Sequence, residues 1–292
     1  MRRYLTFVFA FLIFVPGVFG QHPGYQNEIA KWRAAHQAGL LADDGWLTVA
    51  GLFWLKEGIN TVGAGSVFDV ELTDNFKRRK FGEIAFSHGS ATLNVETGVD
   101  AESDGKSIST IELVSDEKGK PTMVDVGSQT FYLIKREDRF GIRLKDTRSV
   151  ARTKFTGLKW FPVDSRLKIT AHFEAFAASK EVDIPNVLGG NFKMKSPGIL
   201  RFKLHGKEYT LQPVEEDGKL FIIFRDLTSR TMTYGAGRFL YADPAKGGKV
   251  VLDFNKAENP PCAFTSFATC PLPPPQNRLT TEIRAGEKRY SH

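Results

Sequence analysis

The stretch Arg166–Phe176, RLKITAHFEAF, decides the fold class. Leu167, Ile169, Ala171, Phe173 and Ala175 alternate with Lys168, Thr170, His172 and Glu174. A period of two puts the apolar set on one face of a strand and the polar set on the other. The same alternation recurs outward in both directions. VFDVEL (Val67–Leu72) alternates Phe68, Val70 and Leu72. EIAFSHGSATLNV (Glu83–Val95) predicts a hairpin around His88-Gly89, and Thr122–Asp146 predicts three strands joined by GS and EDR turns. ILRFKLHGKEYTLQPV (Ile199–Val214) predicts another hairpin with His205-Gly206 at its tip. KLFIIFRD and KVVLDFN add two apolar strands. No amphipathic helices separate these strands, so a parallel α/β arrangement is not expected. The expectation is an all-β protein, mainly antiparallel, as a sandwich or a barrel.

One helix stands apart. In Tyr25–Leu41, Ile29, Trp32, His36 and Leu40 recur at helical spacing, which predicts an amphipathic N-terminal helix with His36 packed on its apolar stripe. Ahead of it, MRRY is a basic segment, LTFVFAFLIFV an apolar run too short for a comfortable span, and PGVFG a cleavage-like end. Residues 1–20 therefore read as a signal peptide, leaving residues 21–292 as a single β domain that is exported to a periplasmic or extracellular compartment, with no membrane span after cleavage. Loss of Arg2 and Arg3 lowers the formal charge from +7 to +5. The basic residues are scattered, apart from Lys77-Arg78-Arg79-Lys80, so a nucleic-acid footprint is not expected. Ile184–Gly198, IPNVLGGNFKMKSPG, reads either as a boundary or crossing loop or as one more strand between two turns.

Both cysteines, Cys262 and Cys270, and six of the fourteen prolines fall in Asn259–Asn277, NPPCAFTSFATCPLPPPQN. An oxidising compartment favours a Cys262–Cys270 disulfide as the first reading. A thiol or metal site lacks a nearby histidine partner in sequence. Proline supplies no amide donor, so the segment also reads as a stiff C-terminal strap over the β-structure, a reading compatible with a disulfide.

Familiar catalytic signatures are missing. There is no G-x-S-x-G, no H-E-x-x-H and no phosphate loop, and GAGRFL at Gly235 lacks the third glycine of a dinucleotide loop. It reads as a place where a strand bends or something approaches the backbone closely. No motif assigns a cofactor, a metal or an oligomeric state. What remains is a set of Arg, Asp, Asn and Tyr residues at strand ends: Arg143, Arg225, Asp226, Tyr234, Arg238, Asp253, Asn255 and Asn259. Arginine suits bidentate capture of a carboxylate or phosphate, asparagine suits orienting it, and Asp226 or Asp253 would be the base if chemistry occurs. A small polar or anionic ligand is the expected partner. The alternative is a non-enzymatic envelope or partner-binding protein in which these residues form a structural ion-pair network. WLTVAGLFWL (Trp46–Leu55) is expected to be core rather than a docking face.

FRDLTSRTMTYGAGRFL (Phe224–Leu240) and DFNKAENPPCAFTSFATCPLPPPQNRL…IRAGEKRY (from Asp253 to Tyr290) resemble the domain-of-unknown-function family 1684, DUF1684. WLTVAGLFWLKEGINTVG and GIRLKD…FTGLKWFP are also similar to it, so the resemblance runs from about Trp32 to Tyr290. It implies a fold unit and a motif set, and no mechanism. The chain departs from the family pattern at Glu258, where an aromatic is more common, and at Arg230, where glycine is. Both departures are expected to alter only a loop surface.

Overall fold

The structure is a computed structural model that describes residues 23–73 and 80–290. The expected signal peptide and the basic residues Lys77, Arg78 and Arg79 lie outside the described residues. Helix α1 (Pro23–Leu41) begins two residues before the predicted start and buries Ile29 and Leu40, with Trp32 and His36 half-buried on the same face. No helix among the described residues is long and apolar enough to cross a membrane.

The chain is all-β, and among the described residues its strand-to-strand pairings are antiparallel except one. In the first half, strands β1 (Val49–Trp54), β2 (Gly58–Ala64), β3 (Val70–Leu72), β4 (Lys80–Ser87), β5 (Ser90–Val95), β6 (Glu102–Ser103), β7 (Lys106–Ser107), β8 (Thr110–Glu112), β9 (Val124–Val126), β10 (Gln129–Arg136) and β11 (Arg139–Asp146) form two sheets. Their orders are β1-β11-β10-β9-β6-β7 and β3-β2-β4-β5-β8. Only β2 and β3 run parallel. The two sheets share one core that includes Phe81, Ile84, Leu93, Phe131, Leu133, Ile142 and Leu144, with Phe81 and Phe131 in edge contact at 5.6 Å.

The second half repeats this plan with its own core. Strands β12 (Lys168–Pro185), β13 (Asn191–Leu204), β14 (Lys207–Leu211), β15 (Val214–Glu216), β16 (Lys219–Phe224), β17 (Arg238–Ala242) and β18 (Lys249–Asp253) give the orders β14-β13-β12-β18 and β15-β16-β17. Leu200, Phe202, Leu211, Ile222, Phe224, Leu240, Leu252 and Phe254 fill the space between them. The 184–198 segment is neither a boundary nor a separate strand. It is the tip of a long hairpin in which Asn186–Gly190 turns β12 into β13, and β13 runs unbroken through Lys195 to Leu204. Of the Trp46–Leu55 segment, Leu47 and Val49 are core and the rest is half-buried apart from the equally covered Thr48 and Gly51.

The proline-rich segment is a strap lying across both halves. Phe239 in β17 exchanges backbone bonds with Glu258, Leu272 donates its amide to Pro185 at 2.6 Å, and Arg225 pairs with Arg278. Asn277, almost fully buried, fixes its end. Its side-chain amide donates to the carbonyls of Gln212 (2.9 Å) and Ile223 (3.0 Å), and its Oδ1 accepts from the Gln212 amide at 2.7 Å. Gly237 resolves the GAGRFL reading. At φ +123° it has no Cβ, and one placed there would meet Pro273 Cγ at 2.5 Å and the Phe224 carbonyl at 2.6 Å. The close approach at this glycine is made by the strap.

Candidate functional site

The strap, α1, the β10–β11 hairpin and the β15–β17 sheet line a half-open cavity of about 340 Å³. Alternation along β11 explains its most unusual occupant. Ile142 and Leu144 point into the first core, so Arg143 points to the opposite face, which the strap covers. Arg143 is 4% exposed. Its guanidinium sits 5.4 Å from the Trp46 ring, and Nη2 lies 3.5 Å from Thr269 Oγ1, a long contact. Nε has no protein partner, and no carboxylate pairs with this residue among the described residues. The neighbouring Arg136 is different: it forms an ion pair with Asp116 at 2.8 Å and donates from Nε to Thr269 Oγ1 at 3.1 Å.

Asn259 lines the same cavity and is 3% exposed. Its side-chain nitrogen donates to Glu287 Oε1 at 2.6 Å and to the Lys288 carbonyl at 2.9 Å. Both partners are acceptors, which fixes the amide orientation and leaves Oδ1 buried without a protein donor. Glu287, fully buried, also accepts from the Asn259 amide and contacts His36 Nε2 at 3.4 Å.

His36 is held between two carboxylates, with Nδ1 3.1 Å from Glu258 Oε2. It stacks on Trp32 and meets the edge of Trp160. Burial alone would push the imidazolium down, but the contacts with Glu258 and Glu287 outweigh it and raise its pKa to about 9. The remaining wall is aromatic: Phe192, Phe221, Phe239, Tyr241 and Phe264. Phe221 stacks on Tyr241 at 4.7 Å. The Tyr241 hydroxyl donates to Glu216 Oε2 at 2.8 Å, and burial raises the Glu216 carboxyl above its ordinary range. Glu216, Tyr241 and Glu258 also line a second, larger cleft of about 950 Å³ that is open to a similar degree, so they stand where the two spaces meet.

Of the eight residues singled out from sequence, Arg143 and Asn259 come together in this cavity. Asp226 and Arg238 form a buried ion pair at 2.8 Å elsewhere; Arg238 also donates to the carbonyls of Ile283 and Ala285, and Asp226 caps the turn at Leu227–Arg230. Asp253 and Asn255 join Tyr25 and Asp164, with the Tyr25 hydroxyl donating to Asp253 Oδ1 at 2.7 Å. Asp253 faces the open cleft. Tyr234 donates to the Cys262 carbonyl at 2.9 Å. Arg225 is half-buried, and its main chain anchors the strap through Asn277 and Leu279.

The two cysteines of the expected bridge are unbridged in this structure. They are adjacent: the Cys262 amide donates to Cys270 Sγ at 3.1 Å, and Cys270, buried, lines the cavity. The contact pulls the Cys262 thiol down, while Cys262 and burial push Cys270 up. Among the described residues no cluster of three or more His, Cys, Asp or Glu is disposed to hold a metal.

Sequence reasoning missed His36, Glu258, Thr269 and Glu287 as parts of one site. Glu258 is not on a loop surface: it faces His36 and both cavities. Residues 153–288 match the family described as "Protein of unknown function (DUF1684)", and the chain belongs to that family. The matched segment contains Asn259, the cysteines and Glu287; Arg143 and the Trp46–Gly63 motif lie ahead of it. No curated protein matches the chain. Among solved structures, it is similar to an uncharacterized protein of Haloarcula marismortui determined by solution NMR, with 31% identity over 47% of this chain and 78% of that one and a TM-score of 0.40.

Proposed function

We propose that the protein is an exported binder of a small organic anion, taken up in the 340 Å³ cavity with Arg143 as the anchoring cation. The observation that carries this reading is a guanidinium 4% exposed that lines the pocket and pairs with no carboxylate among the described residues. An unpaired buried cation costs several kcal/mol, on the order of that found when one partner of a buried pair is removed. A ligand carboxylate would offset that cost through charge-assisted bonds. The aromatic walls favour a carboxylate with an apolar body over inorganic phosphate. Export rests on the leader-like Met1–Gly20 sequence.

The structural reading of the Arg/Asp/Asn set is favoured for Asp226, Arg238, Asp253 and Asn255, each engaged in internal hydrogen bonds. The proposal is therefore narrower than the full set and keeps Arg143 and Asn259. A thermal-shift panel of acetate, benzoate, 3-phenylpropanoate and phosphate tests it. Apolar carboxylates should raise Tm in the wild type and not in Arg143→Gln. Equal shifts in both proteins, or none in the wild type, would contradict it.

A further inference from the structure

We propose that Cys262 and Cys270 form a reversible dithiol–disulfide pair that sets how strongly the cavity holds an anion, with Cys262 as the sulfur that meets external disulfides. The exchange stands on the strap alone, and its effect on the cavity rests on the Arg143 reading. The two side chains are in hydrogen-bond contact, and the Cys262 amide donates to Cys270 Sγ at 3.1 Å, so only a small movement separates the thiols from a bond. The loop between them is tied down without that bond. The Cys262 carbonyl accepts from the Tyr234 hydroxyl at 2.9 Å, the Cys270 carbonyl accepts from the Val187 amide at 3.1 Å, and Thr265 Oγ1 donates to the Val49 carbonyl at 3.2 Å. Opening the bond therefore leaves the strap in place. Cys262 is partly exposed and Cys270 is buried, so an external oxidant or reductant meets Cys262 first.

Cys262 reacts as the thiolate, which its contact with Cys270 and the charge of Arg143 favour. It attacks one sulfur of a low-molecular-weight disulfide and expels a thiolate, leaving a mixed disulfide on Cys262. Cys270 then gives up its proton, attacks Cys262 Sγ and expels the second thiolate. Two electrons and two protons pass from the protein to the external disulfide, which leaves as two thiols. The coupling to the cavity is electrostatic. Cys270 and Arg143 line the same space, and Thr269, next to Cys270, has its hydroxyl 3.1 Å from Arg136 Nε and 3.5 Å from Arg143 Nη2. Arg143 attracts the negative form of both sulfurs. With no carboxylate paired to Arg143 among the described residues, a thiolate is the chain's own competitor for an incoming anion. The disulfide is neutral and removes that competitor. Anion affinity is then higher in the oxidised protein, and by linkage a bound anion favours the disulfide.

The full chain, equilibrated in buffers of reduced and oxidised glutathione and then alkylated, tests the exchange by intact mass. The pair should pass reversibly from two alkylated cysteines to none, and in Cys270→Ser the mixed glutathione disulfide should be trapped on Cys262. The wild-type titration stands even if the variant fails to fold. A pair that stays bridged, or stays reduced, across the whole range of buffers would overturn the proposal. Calorimetry with 3-phenylpropanoate tests the coupling: the oxidised protein should bind at least about fivefold more tightly than the reduced one. Equal affinities would overturn the coupling while leaving Arg143 as the anchor. Binding by neither form would remove the Arg143 reading, and the coupling with it, while the glutathione titration still decides the exchange.

Discussion

Nδ1 of His36 lies 3.1 Å from Oε2 of Glu258, and this contact fastens α1 to the segment that leads into the strap. With Glu287 on the other side of the ring, the imidazolium is stabilised in the folded state, with a pKa of about 9 against an ordinary 6.5. A raised folded-state pKa contributes stability that is fully present below the unfolded value and is lost as pH rises through the folded one. The contribution has a ceiling of about 3 kcal/mol for this shift. Urea unfolding should therefore show stability falling between about pH 6.5 and pH 9, and His36→Gln should flatten that part of the profile. An unchanged slope in the variant would remove His36 from the account.

The Asp226–Arg238 pair predicts a large structural cost and no specific binding defect. Both side chains are buried. Asp226→Ala strands Arg238 in the interior and should cost about 3–5 kcal/mol by denaturant unfolding. Where the variant folds, its affinity for a carboxylate should match the wild type. A loss of affinity larger than the loss of folded protein would bring this pair back into the site.

Asn277 predicts how firmly the strap is held. Asn277→Ala leaves the amide and carbonyl of Gln212 and the carbonyl of Ile223 without their partner. At about 1–3 kcal/mol for a stranded buried group, a loss of at least about 2 kcal/mol is expected. Hydrogen exchange should rise first at Leu272 and Leu279, whose amides bind Pro185 and Arg225. Protection unchanged at both amides would show that Asn277 does not hold the strap.

The cysteines predict an order of reaction. Cys262 is more exposed than Cys270 and its thiol is the more acidic of the two. Iodoacetamide added to reduced, native protein should label Cys262 before Cys270, read by peptide mass spectrometry. Protein recovered from an oxidising compartment without alkylatable thiols would instead restore the bridge expected from composition.

The strands were legible because their signal is local. The alternation in RLKITAHFEAF and the His88-Gly89 and His205-Gly206 tips appear in the structure as β12, the β4–β5 hairpin and the β13–β14 hairpin. The turn at Asn186–Gly190 was ambiguous because Pro197 and Gly198, residues that usually mark turns, interrupt strand 191–204 just after its alternation of Phe192 and Met194 with Lys193 and Lys195. The site was only half legible. Arg143 and Asn259 were chosen for their chemistry, and so were Arg225, Asp226, Arg238, Asp253 and Asn255, which serve the scaffold. No local pattern separates the two groups, because the difference is whether a carboxylate arrives from a distant part of the chain. Asp226 reaches Arg238 from 12 residues away, whereas among the described residues no carboxylate reaches Arg143. Glu258 and Glu287 were not assigned to the site for the same reason: each acquires its role from His36, more than 200 residues earlier.

The most direct test of the central claim follows the unpaired atom itself. In protein labelled with ¹⁵N-arginine, the Nε–H resonance of Arg143, assigned by its loss in Arg143→Gln, should move on titration with 3-phenylpropanoate and saturate with the binding isotherm. A ligand that binds while this resonance stays fixed, or a resonance indifferent to every carboxylate, would contradict the claim that Arg143 anchors the anion.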